Sequence, residues 1–131
     1  MLDLIIKNGS CYIDKDLKDQ DIAIKDGKII KIGKIESEAK EIFDAKGLTV
    51  LPGCIDTQTH FREPGSTDTE DLHSGSRAAI AGGITSVFEM PNTNPPTSTK
   101  AEFQKKLDLA KNRMFCNYAF YFGATADNAS E

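Results

Sequence analysis

Four polar side chains follow two apolar segments, at spacings that could assemble one chemical site. Gln58, His60 and Arg62 alternate along LPGCIDTQTHFREPG, and Asn92 follows the apolar segment ITSVFEM. An imidazole can ligate a metal ion, and a guanidinium is a planar fork that matches a carboxylate. Alternate residues of a strand point to one side, so the first three side chains are predicted to share a face. The simpler interpretation is a hydrogen-bonded strand histidine and a surface arginine.

The elements that must position these residues alternate between strand and helix. DTEDLHSGSRAAIAGG ends in two glycines and carries apolar residues at helical spacing, which predicts a helix. STKAEFQKKLDLAKNR, with Thr99 and Glu102 as a capping box, predicts a second helix. LTVLPGCID, ITSVFEM and FCNYAFYFGAT are apolar runs typical of buried parallel strands. In a barrel of parallel strands, both polar loops would open at the carboxyl ends, where active sites lie.

The first fifty residues predict a separate β segment. Asn8-Gly9 and Asp26-Gly27 favour two β-hairpins, and a third strand is expected near EIFDAKGLTVL. The chain is therefore predicted as an α/β protein, with part of a small β-sandwich at 1–50 and a β-α-β-α-β segment at 51–131. A complete (β/α)8 barrel takes roughly 250 residues, so 51–131 is expected to form the first three strands of an incomplete barrel. A small open sheet is the alternative.

Composition and charge narrow the class of partner. The 131 residues carry a formal net charge of −4, which argues against nucleic acid or an acidic membrane surface. Three widely spaced cysteines with no CxxC pair favour a reducing cytoplasm. No window approaches the roughly 20 apolar residues of a transmembrane helix. We therefore expect a cytoplasmic protein that binds a small molecule.

Two motifs together resemble a known family. LPGCIDTQTHFREPG followed by SGSRAAIAGGITSVFEMPNTNPP is similar to the N-terminal part of a dihydroorotase of the class I type, in the amidohydrolase superfamily. The resemblance covers nearly the whole chain. It implies a zinc hydrolase that reversibly converts N-carbamoyl-L-aspartate to dihydroorotate in pyrimidine biosynthesis, with these 131 residues inactive on their own. Hydantoinases and allantoinases share the barrel and are the alternative enzymes.

The resemblance also implies roles for individual residues. His60 would be a zinc ligand in a site of one or two zinc ions, and Arg62 and Asn92 would bind the substrate carboxylate. No catalytic residue is assigned within the chain, because the general base is expected beyond Glu131. A homodimer and a complex with aspartate carbamoyltransferase are the assemblies that the resemblance implies.

Gln58 departs from the common family pattern, which is His-x-His at this point. An amide oxygen is a much poorer zinc ligand than an imidazole. Three interpretations stay open. Gln58 is a weak ligand or orienting group in a working site, or it marks a chain that binds one metal ion instead of two, or it belongs to a non-catalytic subunit that partners aspartate carbamoyltransferase.

Overall fold

The computed structural model describes residues 1–129 and confirms the mixed α/β class. Residues 130 and 131, the last two of the predicted second segment, lie outside the described residues. The chain divides into two compact units, Met1–Pro52 and Gly53–Glu131, and each has its own sheet and buried cluster. None of the described helices is both long and apolar enough to cross a membrane.

The first unit is a five-stranded sheet. Its strands are β1 (Leu2–Ile13), β2 (Asp16–Lys25), β3 (Lys28–Gly33), β4 (Ala39–Asp44) and β5 (Thr49–Val50). The order is β3-β2-β1-β4, and β5 pairs with the far end of β1. The first three strands pair antiparallel, whereas β4 and β5 run parallel to β1. Ile5, Ala23 and Ile35 form the buried cluster of this unit.

The predicted turn at Asp26-Gly27 is confirmed. These residues have φ values of 51° and 70° and connect β2 to β3. Two consecutive positive φ values are what a two-residue hairpin turn requires, because they match the twist of the flanking strands. Asp26-Gly27 therefore forms the hairpin turn that its sequence predicts.

The predicted hairpin at Asn8-Gly9 is wrong, because these residues lie inside the continuous strand β1. The pairing of β1 with β2 shifts register there, and Asn8 has a φ of 60°. A Cβ on Gly9 would lie 2.6 Å from Val50 Cγ2. The dipeptide thus forms a β-bulge at which β5 approaches closely, and the chain reverses instead at Asp14-Lys15.

The second unit alternates strand and helix. Its elements are β6 (Cys54–Thr59), α1 (Leu72–Ala81), β7 (Ile84–Glu89), α2 (Lys100–Ala110) and β8 (Asn117–Phe120). The three strands are parallel in the order β6-β7-β8. Strands and helices enclose an apolar cluster made of Phe61, Leu72, Ala79, Val87, Ala110, Cys116 and Phe120. Because parallel strands share one carboxyl edge, the loops after β6 and β7 emerge side by side.

Both helices start at side-chain caps. Asp71 caps α1 by accepting a hydrogen bond of 2.6 Å from the Ser74 backbone, and Ser74 Oγ accepts in return from the Asp71 backbone at 3.2 Å. Thr99 caps α2 by accepting from the Glu102 backbone at 3.2 Å. These contacts satisfy N–H groups that the first turn of a helix leaves unpaired. The caps fix where each helix leaves the loop that precedes it.

Candidate active site

The end of β6 is shaped by a bulge. Pairing between β6 and β7 shifts between Asp56 and Thr59, and the Asp56 carboxylate accepts a hydrogen bond from the Gln58 backbone N–H at 2.9 Å. Bulges beside active sites re-aim the side chains that follow them. The Gln58 side chain is exposed and is not packed within the sheet.

His60 and Asn92 are in direct contact. His60 Nδ1 lies 2.9 Å from Asn92 Oδ1, which joins the segment after β6 to the loop after β7. An amide oxygen only accepts hydrogen bonds, so this contact places the proton of a neutral imidazole on Nδ1. His60 Nε2 is then an unprotonated nitrogen that can ligate a metal ion, and the Asn92 amide keeps its NH2 group for another acceptor.

Arg62 does not follow the alternation of the strand. β6 ends at Thr59, and Arg62 has a φ of 62°. A non-glycine residue in the left-handed region costs about 1–3 kcal/mol and is found where the surroundings hold it there. Its side chain is exposed and makes no hydrogen bond or ion pair with any residue in 1–129. Arg62 thus lies beyond the extended strand, where alternation no longer predicts the direction of its side chain.

The two loops that carry these residues pack tightly against each other. The Asn94 backbone N–H donates to Pro64 O at 3.0 Å. Gly65, with a φ of 122°, lies so close that a Cβ would come within 2.9 Å of Asn94 Cβ and 3.1 Å of its carbonyl oxygen. A glycine is required here both by its backbone conformation and by the space available.

A carboxylate next to Arg62 anchors the first loop. Glu63 is buried and receives two hydrogen bonds from the Arg113 guanidinium, at 2.8 and 3.1 Å. Glu63 also accepts from the Leu72 backbone at 2.9 Å, at the start of α1. The partnership with Glu63 raises the pKa of Arg113. The sequence patterns did not single out Arg113, whose guanidinium makes both of these hydrogen bonds to Glu63.

A second carboxylate, Glu89, lies at the end of β7 and is paired with Lys106 from α2. Both side chains are almost fully buried. Burial raises the pKa of the Glu89 carboxyl, and the hydrogen bond and charge of Lys106 oppose that rise. Glu89 Oε1 accepts from the Phe61 backbone at 3.1 Å, and Lys106 Nζ donates to Met90 O at 3.0 Å. Sequence reasoning did not single out this pair.

The described residues supply part of the ligand set of a metal site. Within 1–129, no group of three or more His, Cys, Asp and Glu side chains is placed to hold a metal ion. A catalytic zinc ion takes three protein ligands, with nitrogen and carboxylate donors preferred. His60 fits this chemistry, because the hydrogen bond to Nδ1 orients the ring and leaves Nε2 as a donor. Gln58 adds at most a weak amide oxygen.

A protein-family model described as "Amidohydrolase family" matches residues 49–129, which include β6, the two polar loops and every element of the second sheet. The chain belongs to the amidohydrolase family. The matched region contains Gln58, His60, Arg62 and Asn92. The superfamily that the motifs predicted is therefore confirmed.

Named relatives of this amidohydrolase chain include allantoinases and hydantoinases. An allantoinase from Escherichia coli O1:K1 is 43% identical over 127 residues, which is 96% of this chain and 28% of the relative. L-Hydantoinase (dihydropyrimidinase) from Arthrobacter aurescens superposes with a TM-score of 0.89 at 33% identity, over 100% of this chain and 30% of that chain. D-Hydantoinase (dihydropyrimidinase) from Thermus sp. has a TM-score of 0.76 at 29% identity, over 92% of this chain and 27% of that chain. The chain thus spans less than a third of these relatives.

Proposed function

We propose that the complete gene product is a zinc-dependent hydrolase of cyclic amides that acts on dihydroorotate and N-carbamoyl-L-aspartate. The observation that carries the proposal is the contact of 2.9 Å between His60 Nδ1 and Asn92 Oδ1. This contact leaves His60 Nε2 free to bind a metal ion and the Asn92 NH2 group free to donate to a ligand. Bound zinc supplies Lewis acidity toward an amide carbonyl and a water acidic enough to act as a nucleophile near neutral pH.

The substrate carboxylate is assigned to Arg62 and Asn92. The Arg62 guanidinium is exposed and has no ion-pair partner among residues 1–129, so it is available to an anionic ligand. A planar guanidinium binds a carboxylate through two parallel hydrogen bonds, and the Asn92 NH2 adds a neutral donor. A dihydroorotate ring carries such a carboxylate, whereas hydantoin and allantoin rings do not. The proposal therefore requires the Arg62 guanidinium and the Asn92 NH2 group to reach the same carboxylate when substrate binds.

The first test is hydrolysis of dihydroorotate by the complete gene product, including any residues encoded outside these 131, before and after treatment with a chelator. We expect activity that is lost with the metal and restored by zinc. In an R62M variant, kcat/KM for dihydroorotate should fall by about 30-fold or more, because losing one partner of a hydrogen-bonded charge pair that bound substrate buries costs at least about 2 kcal/mol. R77M is the matched control, since Arg77 is an exposed arginine on α1, and it should leave turnover unchanged.

The second candidate is hydrolysis of a neutral cyclic ureide such as allantoin or hydantoin. The identity of 43% to an allantoinase and the TM-score of 0.89 to L-hydantoinase favour it. Such a substrate has no carboxylate for Arg62, so R62M should leave its turnover unchanged. Assaying the three substrates in parallel separates the two candidates. A folded product that turns over none of them and binds no zinc, yet co-elutes with aspartate carbamoyltransferase, would replace both candidates with a partner subunit.

A further inference from the structure

The ion pair of Glu89 and Lys106 lies next to both residues that meet in the candidate site. Glu89 is 1% exposed and Lys106 is 0% exposed, so neither charge is solvated by water. Burying two charges is costly, and apolar residues of similar size are often at least as stable. Packing alone therefore gives no reason for charged residues at these two positions.

The hydrogen bonds of this pair reach the ends of two adjacent strands. Glu89 Oε1 holds the N–H of Phe61, the residue after His60. Lys106 Nζ holds the carbonyl of Met90, two residues before Asn92. The aromatic ring of Phe120 lies 5.2 Å from Lys106 Nζ and restricts it further. One buried pair thus fixes the backbone beside each of the two side chains that share a hydrogen bond.

The pair formed by Glu63 and Arg113 provides an internal comparison. It too joins a buried carboxylate to a cation, and each partner contacts one backbone group. Those groups are the Leu72 N–H and the Leu109 carbonyl, which belong to α1 and α2. Glu63 itself lies three residues after His60, but neither of these backbone groups adjoins His60 or Asn92. The two pairs therefore have similar chemistry and different neighbours.

We propose that Glu89 and Lys106 are positioning residues that hold the backbones of His60 and Asn92 in register, so that His60 keeps its proton on Nδ1 and its Nε2 free. This role rests on the proposed function in one respect, which is that His60 Nε2 is a metal ligand. The tautomer itself exists without metal or substrate. It can therefore be measured independently of activity.

The test is long-range 1H–15N NMR of histidine side chains in the metal-free complete gene product, at about pH 8.5, where free imidazole is neutral. Wild type and E89Q should show His60 as a single Nδ1–H tautomer, because the Gln amide oxygen still accepts from Phe61 and Lys106 still donates to Met90. E89Q/K106M should lose the single tautomer, because no donor reaches Met90. E89Q/K106L is a second apolar replacement in case the first fails to fold. His73, which lies against Phe115, is the internal reference.

The control variant is R113M, which should lower the melting temperature without changing the His60 tautomer. The inference is overturned if folded E89Q/K106M or E89Q/K106L keeps the single tautomer, or if R113M alters it equally. Zinc affinity, measured by competition with a chelating dye, should fall about 10- to 100-fold in the double variant, as expected when the support of a metal ligand is lost. If wild type binds no zinc but the double variant still loses the single tautomer, the proposed function is refuted and the positioning role stands.

Discussion

Gly65→Ala tests whether the two loops of the candidate site are locked together by contact of their backbones. The new methyl group would meet Asn94 at 2.9 Å from Cβ and 3.1 Å from the carbonyl oxygen, and the backbone atoms cannot rotate away. A φ of 122° lies well outside the left-handed region that an alanine can adopt at modest cost. The substitution therefore adds backbone strain to a steric clash.

The two contributions can be estimated separately. Backbone strain at a position suited to glycine costs about 1–3 kcal/mol. Forcing an extra carbon into a packed contact costs about 1–3 kcal/mol more. The loops should therefore open more easily by about 2–6 kcal/mol. The lower figure corresponds to roughly a 30-fold rise in the population of the open state.

Hydrogen exchange at the Asn94 amide is the suitable assay, because this N–H donates to Pro64 across the contact. We expect exchange at least about 30-fold faster in G65A. G83A is the matched control, because Gly83 also has a positive φ, 82°, but no atom lies within 4 Å of the point that its new methyl group would occupy. It should carry strain of about 1–2 kcal/mol without affecting Asn94. Equal exchange in the two variants would refute the packing argument.

Three further predictions concern the anchors and the departure from the family pattern. R113M should lower the free energy of unfolding by about 1.5–3 kcal/mol in urea titrations, and R113K should recover only part of it, because lysine cannot form the fork to Glu63. The hydrogen bond from the Ser74 backbone N–H holds the pKa of Asp71 below its ordinary value of 3.8. The stabilisation by the Asp71 carboxylate should therefore be complete above about pH 5 and disappear as the pH falls below 4. The difference in unfolding free energy between wild type and D71N should shrink over the same pH range. Q58H should tighten zinc binding by on the order of tenfold or more in competition titrations, since imidazole is the better ligand, and unchanged affinity would show that residue 58 does not face the metal.

The strands and helices of the second unit were predictable because several local signals agree. α1 has an aspartate at its start and Gly82 at its end, and α2 has a threonine cap with Glu102 three residues later. Apolar runs bounded by glycine or proline marked β6 and β7. Each signal reports the local backbone, and no tertiary contact overrides it here.

The hairpin at Asn8-Gly9 was not predictable from the same kind of signal. Asn-Gly tolerates positive φ, and both a two-residue turn and a β-bulge use that property. The choice is decided by the approach of Val50, some forty residues away, to the backbone at Gly9. The true turn, Asp14-Lys15, has φ values of 53° and 71°. A lysine is not a residue that marks such a turn in sequence.

Part of the candidate site followed from topology, and part did not. The contact between His60 and Asn92 is expected when two parallel strands end at one edge, and it is present. The position of Arg62 was extrapolated from strand alternation, which fails because the strand ends at Thr59. The alternation of side chains along a strand predicts their directions only while the backbone stays extended. Beyond that point the loop geometry, here set by Glu63, governs the side chain.

The buried pair of Glu89 and Lys106 left a signal in the sequence that pairwise reasoning could have found. Phe103 and Ala110 define the apolar face of α2, and Lys106 lies between them at a spacing of three and four residues. Glu89 follows Val87 at the two-residue spacing of the buried face of β7. Each residue alone is a charge in a position where an apolar side chain belongs. Buried charges of opposite sign on two adjacent elements of a β-α unit compensate each other only if they form an ion pair. Taken together, the two charged positions therefore predict the contact between Glu89 and Lys106.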